Sequence, residues 1–455
     1  MAVATDTSRA SAATAGELPP GPRWPTALQT LGWILAPALM MDRCAARFGD
    51  MFTLTLAPGG RRLVLLREPE AVRTVFTAPP DVAPSAAGAT PIAPVMGPNS
   101  VITLVGPEHM RQRKLLLPPF HGERIREYGD VIEQATRREM ADWPLGRPMR
   151  IHPHMQAITL EVILRAVFGV EAERMEALRA AITGLLGNAT LAALRQGFRP
   201  SVDARPGGRF GVALDHLDEL IFAELGRRRA VADLQERTDI LSLLLLARDE
   251  DGEPMTDAEL RDELVTLLLA GHETTATSLS WALERLVRHP AALERLIAEV
   301  DEGGEEYMDA VIHEILRVRP VVPTVVRVLT EPLAVGDRLL PAGTRVVPSI
   351  YLTNRNAQVY EDPRAFRPER FLGQSPETYA WIPFGGGIRR CIGASFAMYE
   401  MRTILRTVLG ELRPQSPAGL SGRFAEPIMR RAITLAPGRG GRVVWERRAP
   451  SEAAA

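Results

Sequence analysis

Between residues 255 and 289 the chain carries one uninterrupted helical pattern, opened by MTDAEL and stopped by Pro290. Thr256 and Glu259 stand three apart, the spacing of a capping box in which each side chain satisfies the other's backbone N–H. At 1.5 Å per residue the helix is a rod of about 50 Å. Its first half is apolar, LVTLLLA at 264–270, and its second half is amphipathic. Between them lies a polar break, GHETTATS at 271–278. A buried helix centre carrying such groups is costly unless something uses them. Glycine permits close approach of another group, and threonine hydroxyls can divert backbone hydrogen bonds. Alternatively, Glu273 faces solvent while Thr274 and Thr275 bond back to the preceding turn. The patch alone leaves both readings open.

Elsewhere the pattern is mixed. FTLTL (52–56) and RLVLL (62–66) flank APGG and predict a hairpin. DVAPSAAGATPIAPVMGPNS, at about 81–100, predicts a long functional or disordered loop, and RPSVDARPGGRFG near 200–211 a second mobile one. Most of the chain from about residue 100 to 320 is helical, interrupted by that second loop. Short strands resume at VVPTVVRVL (321–329) and near RRAITLAPGRGGRVVW (430–445). The class expected is mainly α with small peripheral β-sheets. A disordered tail at 1–16, a single domain at 17–449 and a short tail at 450–455 complete the division.

Composition changes little. The 455 residues are 46% apolar, and 54 basic residues balance 55 acidic ones, which gives no sign of a nucleic-acid partner. Two distant cysteines, Cys44 and Cys391, make no disulfide framework and suit a reducing cytoplasm. The N-terminus lacks the charge and apolar run of a secretory signal. LQTLGWILAPALMM (28–41) is too short to span a membrane and contains Pro37, so it is expected to be a helix packed on the core.

Several segments carry candidate chemistry. In YMDAVIHEILRVRP (307–320), Glu314 and Arg317 share a helix face, and AFRPERF (365–371) brings Arg370, which would clamp two segments if it reached that pair. In GPEHMRQRKLLLPPF (106–120), His109 and Arg113 share a face suited to a dicarboxylate, although a solvated basic face has the same spacing. Cys391 follows the glycine-rich bend FGGGIRRCIG (384–393) and precedes a helical pattern with apolar residues at 397, 401, 404, 405, 408, 409 and 412. It therefore lies near a helix N-terminus, where the dipole and backbone N–H groups stabilise a thiolate. Glycines keep side chains away, so that a flat macrocycle has room, and Arg389 offers a cation to its carboxylates. Thiolate, cations and a polar notch in an apolar helix all suit haem.

With these residues in place, the sequence resembles the cytochrome P450 family from LPPGP at 18–22 to the final strands. FGGGIRRCIG meets the F-x-x-G-x-R-x-C-x-G ligand loop at Phe384, Gly387, Arg389, Cys391 and Gly393. AGHETT (270–275) is similar to the oxygen-activating helix, EILR (314–317) to the E-x-x-R pair, FRPERF (366–371) to the arginine-bearing meander, and His109 with Arg113 to H-x-x-x-R. The resemblance implies the family's fold, with haem b between the long helix and the ligand loop. It implies Cys391 as axial thiolate, with Phe384, Gly387 and Gly393 shaping its loop, and His109, Arg113, Arg327 and Arg389 at the cofactor. It further implies Glu273 and Thr274 as the acid–alcohol pair, with Glu314, Arg317 and Arg370 structural. Asn354 stands where many relatives carry histidine or another residue, a local variation that leaves the implied chemistry intact, and His272 reads as a bystander.

The reaction so implied is monooxygenation of a lipophilic small molecule, such as a terpenoid, steroid, fatty acid or polyketide-like product of secondary metabolism. Expected walls are 81–104, 184–211, 267–270, 321–326 and 427–429. No G-x-G-x-x-G fingerprint follows a strand, so electrons are expected from a ferredoxin or flavodoxin with its NAD(P)H reductase, docking at Arg389, Arg390 and the basic run 111–114. A monomer without a membrane span is expected. The alternatives are a non-catalytic haem-binding sensor and a peroxide-driven haem-thiolate peroxygenase; the Glu273–Thr274 pair disfavours both.

Overall fold

A computed structural model describes residues 17–86, 93–120, 122, 124–169, 174–185, 207–418 and 425–448. They group into two compact units. The first comprises Met1–Ala86, Thr324–Glu361 and Glu377–Arg390; the second comprises Ala87–Pro323, Asp362–Pro376 and Cys391–Ala455.

The first unit is built on the predicted hairpin. Strands Met51–Leu56 and Arg61–Leu66 pair antiparallel, and strands Arg345–Pro348 and Arg327–Val328 extend the sheet. Only Arg327 and Val328 of the predicted strand 321–329 pair as a strand. Pro320 and Pro323 lack the N–H a ladder needs. The apolar window at 28–41 forms two helices, Thr26–Leu35 and Pro37–Phe48, and only part of its surface is covered. The buried face is set by Gln29, whose amide donates to the carbonyls of Pro22 and Trp24 and whose oxygen accepts from Thr55 N–H at 2.9 Å. Fixing Gln29 inward turns Leu28, Leu31 and Leu35 outward, each more than half exposed. No described helix is long and apolar enough to cross a membrane.

The second unit is helical. Its axis is the predicted rod, Asp257–Leu286, opened by the Thr256–Glu259 capping box and unbroken through the polar patch. It ends three residues before His289, and a new helix starts at Pro290. Helix Ile151–Phe168 lies along it, and Gly271 lets the two approach: a β-carbon there would stand 3.0 Å from Ile163 Cδ1. Small sheets sit beside the helices. Strand Arg442–Arg447 is flanked by Pro148–Arg150 and Leu412–Gln415, and Ile428–Arg431 pairs with Thr434–Pro437.

The two expected loops have different fates. Part of each lies outside the described residues, at 87–92 and 200–206. The end of the first is tied to the long helix. Asn99 donates from both nitrogens to Asp262, Val101 N–H donates to Glu263 at 2.7 Å, and the Ser100 and Thr266 hydroxyls meet at 2.6 Å.

Candidate active site

The ligand loop begins in the first unit. Gly385 and Gly387 have φ of +69° and +64°, a region that costs any residue with a β-carbon. Gly386 is small for a different reason: a β-carbon there would stand 2.3 Å from Phe76 Cδ2, and one on Gly387 would stand 2.2 Å from Phe76 O. The room the glycines leave is thus taken up by helix Pro69–Thr77. Phe384 packs edge-on against Trp381, with centroids 5.9 Å apart. Asn354, the unusual residue of its segment, is fully buried and accepts the N–H of Ile382 at 3.0 Å, so it anchors the chain just before the loop.

Arg327 is buried in the same unit, with its guanidinium carbon 5.8 Å from the Phe76 ring centroid. Among the described residues no carboxylate pairs with it. Its guanidinium donates to the Val326 carbonyl, at 3.2 Å. Desolvation pushes its pKa down to about 10. A buried cation with no anion is costly, and an anionic ligand group would relieve that cost.

Cys391, which opens the last segment of the second unit, is exposed; Cys44, in the first unit, is buried, and the two form no disulfide. Gly393 occupies the N-cap of helix Ala394–Glu411 and accepts from Ala397 N–H at 2.8 Å. The thiol therefore stands just before a helix N-terminus, where a thiolate is favoured. His109 is buried and Arg113 partly so, on one face of helix Gly106–Leu116. Their neighbour Arg111 is committed elsewhere, with 2.6 Å bonds to Asp249 and Glu259, and Lys114 meets the exposed Glu250. The expectation that Arg111 waits for an acidic partner is corrected by those two internal carboxylates.

The polar break resolves into two faces. Thr274 takes the bland option for its proton, donating to the Ala270 carbonyl at 2.6 Å. Glu273 does not face solvent: its carboxylate turns to helix Ile151–Phe168 and accepts from Gln156 Nε2 at 2.6 Å. Burial raises its pKa, and Gln156, Arg431 and Thr277 oppose the rise. Burial lowers His272 to about 4, and its Nδ1 lies 3.1 Å from Thr159 Oγ1, so it is a neutral packing residue. From Leu260 to Glu284 the helix is buried except at Leu267, Leu269, Ala270, Gly271, Glu273 and Thr274. Leu267, Ala270 and Thr274 fall on one stripe at helical spacing.

Glu314 and Arg317 are wholly buried and joined by bonds of 2.6 and 2.7 Å. Arg370 does return to them, 3.2 Å from Glu314, and Arg317 also donates to the carbonyls of Pro363 and Ala365.

The Cytochrome P450 family model matches residues 19–423. The chain belongs to the cytochrome P450 family. It is 42% identical over 412 residues to a cytochrome P450 137 of Mycobacterium tuberculosis, covering 89% of this chain and 84% of that one. It is 41% identical over 435 residues to a cytochrome P450 135B1 of Mycobacterium bovis, covering 94% and 91%. The haem domain of cytochrome P450DA shares its fold, with a TM-score of 0.81 at 22% identity over 96% of this chain and 98% of that one. So does a cyanobacterial CYP120A1 bound to retinoic acid, at 0.77 and 24%, over 95% and 99%. P450 proteins are haem-thiolate monooxygenases. An exposed thiol at a helix start and a desolvated arginine with no carboxylate partner fit that cofactor.

Four groups around these residues were not singled out in the sequence: His152, Gln156, Arg431 and Glu400. Glu400 is buried in helix Ala394–Glu411 and hydrogen-bonded to Thr275, and desolvation lifts its pKa to about 8. Its only signal was a carboxylate one residue before an apolar position of that helix.

Proposed function

We propose that this P450 inserts one oxygen atom from O2 into a lipophilic small molecule, with Cys391 as the axial thiolate of haem b and Glu273 and Thr274 as its proton-handling pair. The partly accessible stripe Leu267–Ala270–Thr274 on a largely buried helix carries the reading, because it offers apolar surface leading to one hydroxyl. The buried Arg327, with His109, Arg113 and Arg389, supplies cations for two propionates, and Phe384, Gly387 and Gly393 shape the loop.

Bound haem supplies O2 activation, and thiolate ligation favours O–O cleavage. The chain's own groups manage protons. Thr274 spends its one proton on Ala270, so its oxygen can still accept a hydrogen bond on the accessible side. Glu273, one residue before it, is a carboxylate whose burial moves it toward the range where it can gain and release a proton. Electrons come from a ferredoxin or flavodoxin with its reductase. Arg390 and Lys114 are the exposed cations of the expected docking set, since Arg111 is engaged internally.

Optical titration of the haem-loaded ferric protein with lipophilic compounds tests this. A low-spin to high-spin Soret shift, followed by oxidised product when redox partners are added, is expected. A thiolate Soret band that persists in Cys391→Ser would overturn the ligand assignment.

A further inference from the structure

Around Glu273 lies a set of polar groups that no motif contains. Gln156 Nε2 reaches Glu273 Oε2 at 2.6 Å, and Thr277 Oγ1 lies 3.4 Å from Oε1. His152 Nε2 lies 3.2 Å from Thr277 Oγ1, and its Nδ1 lies 3.3 Å from Nη1 of Arg431. His152 itself is 3.6 Å from the carboxylate, beyond hydrogen-bond range, so Thr277 is the link between them. The histidine ring is 1% exposed, whereas Arg431 ends strand Ile428–Arg431 and is exposed.

Donor and acceptor chemistry gives this chain a direction. A guanidinium only donates, so Nδ1 of His152 must accept. A neutral imidazole then carries its proton on Nε2, which donates to Thr277 Oγ1. The Thr277 hydroxyl is left to donate to Glu273. Gln156 adds a second donor, because only its Nε2 faces the carboxylate. Every partner thus gives a hydrogen bond to Glu273 and none takes one, an arrangement that favours the ionised carboxylate and fixes its orientation. The His152 backbone N–H is held by the Gly440 carbonyl at 3.0 Å, so the ring's anchor is set independently of the chain it serves. The charged or titratable groups acting on the ring are Arg431, Glu273 and His272; burial, Arg431 and His272 all oppose its protonation. His152 is therefore neutral, and its approach to Glu273 is not an ion pair.

We propose that Arg431, His152 and Thr277 are positioning residues that form a one-way hydrogen-bond chain from the surface to Glu273, favouring its ionised form against the opposing effect of burial and keeping it turned toward helix Ile151–Phe168 until a proton arrives from the Thr274 side. The value of the arrangement rests on Glu273 being the proton-handling acid proposed above; the geometry of the chain does not.

Nitrogen NMR of the haem-loaded protein labelled with ¹⁵N-histidine, in its diamagnetic ferrous carbon monoxide form, tests the chain directly. His152, assigned through His152→Gln, is expected to show the neutral Nε2–H tautomer at pH 6 to 8, and Arg431→Met is expected to shift its Nδ1 resonance and mix the tautomers. In parallel, Arg431→Met and Thr277→Val are expected to lower product formed per NAD(P)H consumed several-fold, with the excess appearing as peroxide and the Soret band unchanged. Arg431→Lys, which keeps a donor and a charge, is expected to recover part of the loss. A charged His152 or an Nδ1–H tautomer in the unaltered protein overturns the proposal, as does unchanged coupling in both variants. Glu273→Gln separates the two readings: full turnover in that variant removes the acid role assigned to Glu273, whereas the tautomer result tests the chain itself.

Discussion

Arg317 and Glu314 bury an entire ion pair, each side chain fully inaccessible, and the guanidinium holds the carboxylate through Nε at 2.6 Å and Nη2 at 2.7 Å. The remaining valences are also used: Glu314 accepts from Arg367 N–H and Arg370, while Arg317 donates to two backbone carbonyls. Removing one partner strands the other charge away from water. Arg317→Ala is therefore expected to destabilise the protein by about 3–5 kcal/mol. Denaturant titration checks this: a lowered midpoint or an insoluble product is expected, and an unchanged midpoint would show that water reaches Glu314.

Phe76 distinguishes two adjacent glycines. A β-carbon on Gly386 meets the Phe76 ring, but one on Gly387 meets the Phe76 carbonyl oxygen and also sits at positive φ. A side chain can be trimmed and a backbone cannot. Gly386→Ala is expected to cost about 1–3 kcal/mol, partly recovered in combination with Phe76→Ala. Gly387→Ala is expected to be worse and to gain nothing from the second change. Thermal unfolding of the four proteins decides it.

The motifs were legible because each depends on residue types at short spacing: the capping box, the E-x-x-R pair and the glycine loop are all local. The long helix and the hairpin could be read for the same reason. What could not be read depends on which way a face turns. Leu28, Leu31 and Leu35 have the spacing of a buried stripe, yet Gln29 takes the inside because its amide satisfies three backbone groups. Arg111 and Lys114 look alike in sequence, but partners more than 130 positions away, Asp249, Glu250 and Glu259, separate their roles. His152 and Arg431 are 279 residues apart, and no local pattern joins them.

Arg327 is a cation awaiting an anion. Its burial without a carboxylate partner is unfavourable in the chain alone and is offset by a ligand carboxylate. Arg327→Leu is expected to speed haem loss to an acceptor protein by about 10–100-fold, the equivalent of one charge-assisted hydrogen bond. Arg62→Leu, at an exposed position of the same unit, is the control and should leave the rate unchanged. Equal rates in both variants would detach Arg327 from the cofactor.

Charge reversal at Arg111 and at Lys114 should have different consequences. Arg111 is the shared cation of Asp249 and Glu259, and Arg111→Glu places three carboxylates together. A loss of about 1–3 kcal/mol in unfolding free energy is expected. Lys114 pairs with an exposed glutamate, so Lys114→Glu is expected to change stability by under about 1 kcal/mol. If the partner docks there, reduction by ferredoxin or flavodoxin slows in Lys114→Glu at low salt, and the difference from the unaltered protein shrinks at high salt. Stopped-flow reduction at two ionic strengths provides the measurement, and identical rates would move the docking surface elsewhere.

Glu400 gives the stability a pH dependence of definite sign. In the fold, burial lifts its pKa from 4.5 to about 8, with the Thr275 hydrogen bond opposing the rise. The folded chain therefore binds more protons at this site than the unfolded one between those two values, and stability falls as pH rises through the window. The contribution is fully present below pH 4.5 and lost by the time pH passes 8. Glu400→Gln keeps a hydrogen-bonding side chain of the same shape but cannot ionise. It is expected to flatten the stability profile between pH 5 and 8 and to be the more stable protein at pH 8, by an amount on the order of a few kcal/mol. Unfolding free energies measured at pH 5, 6.5 and 8 for both proteins check the sign. Parallel profiles would mean that water enters beside Thr275 and Glu400 ionises in the ordinary carboxylate range.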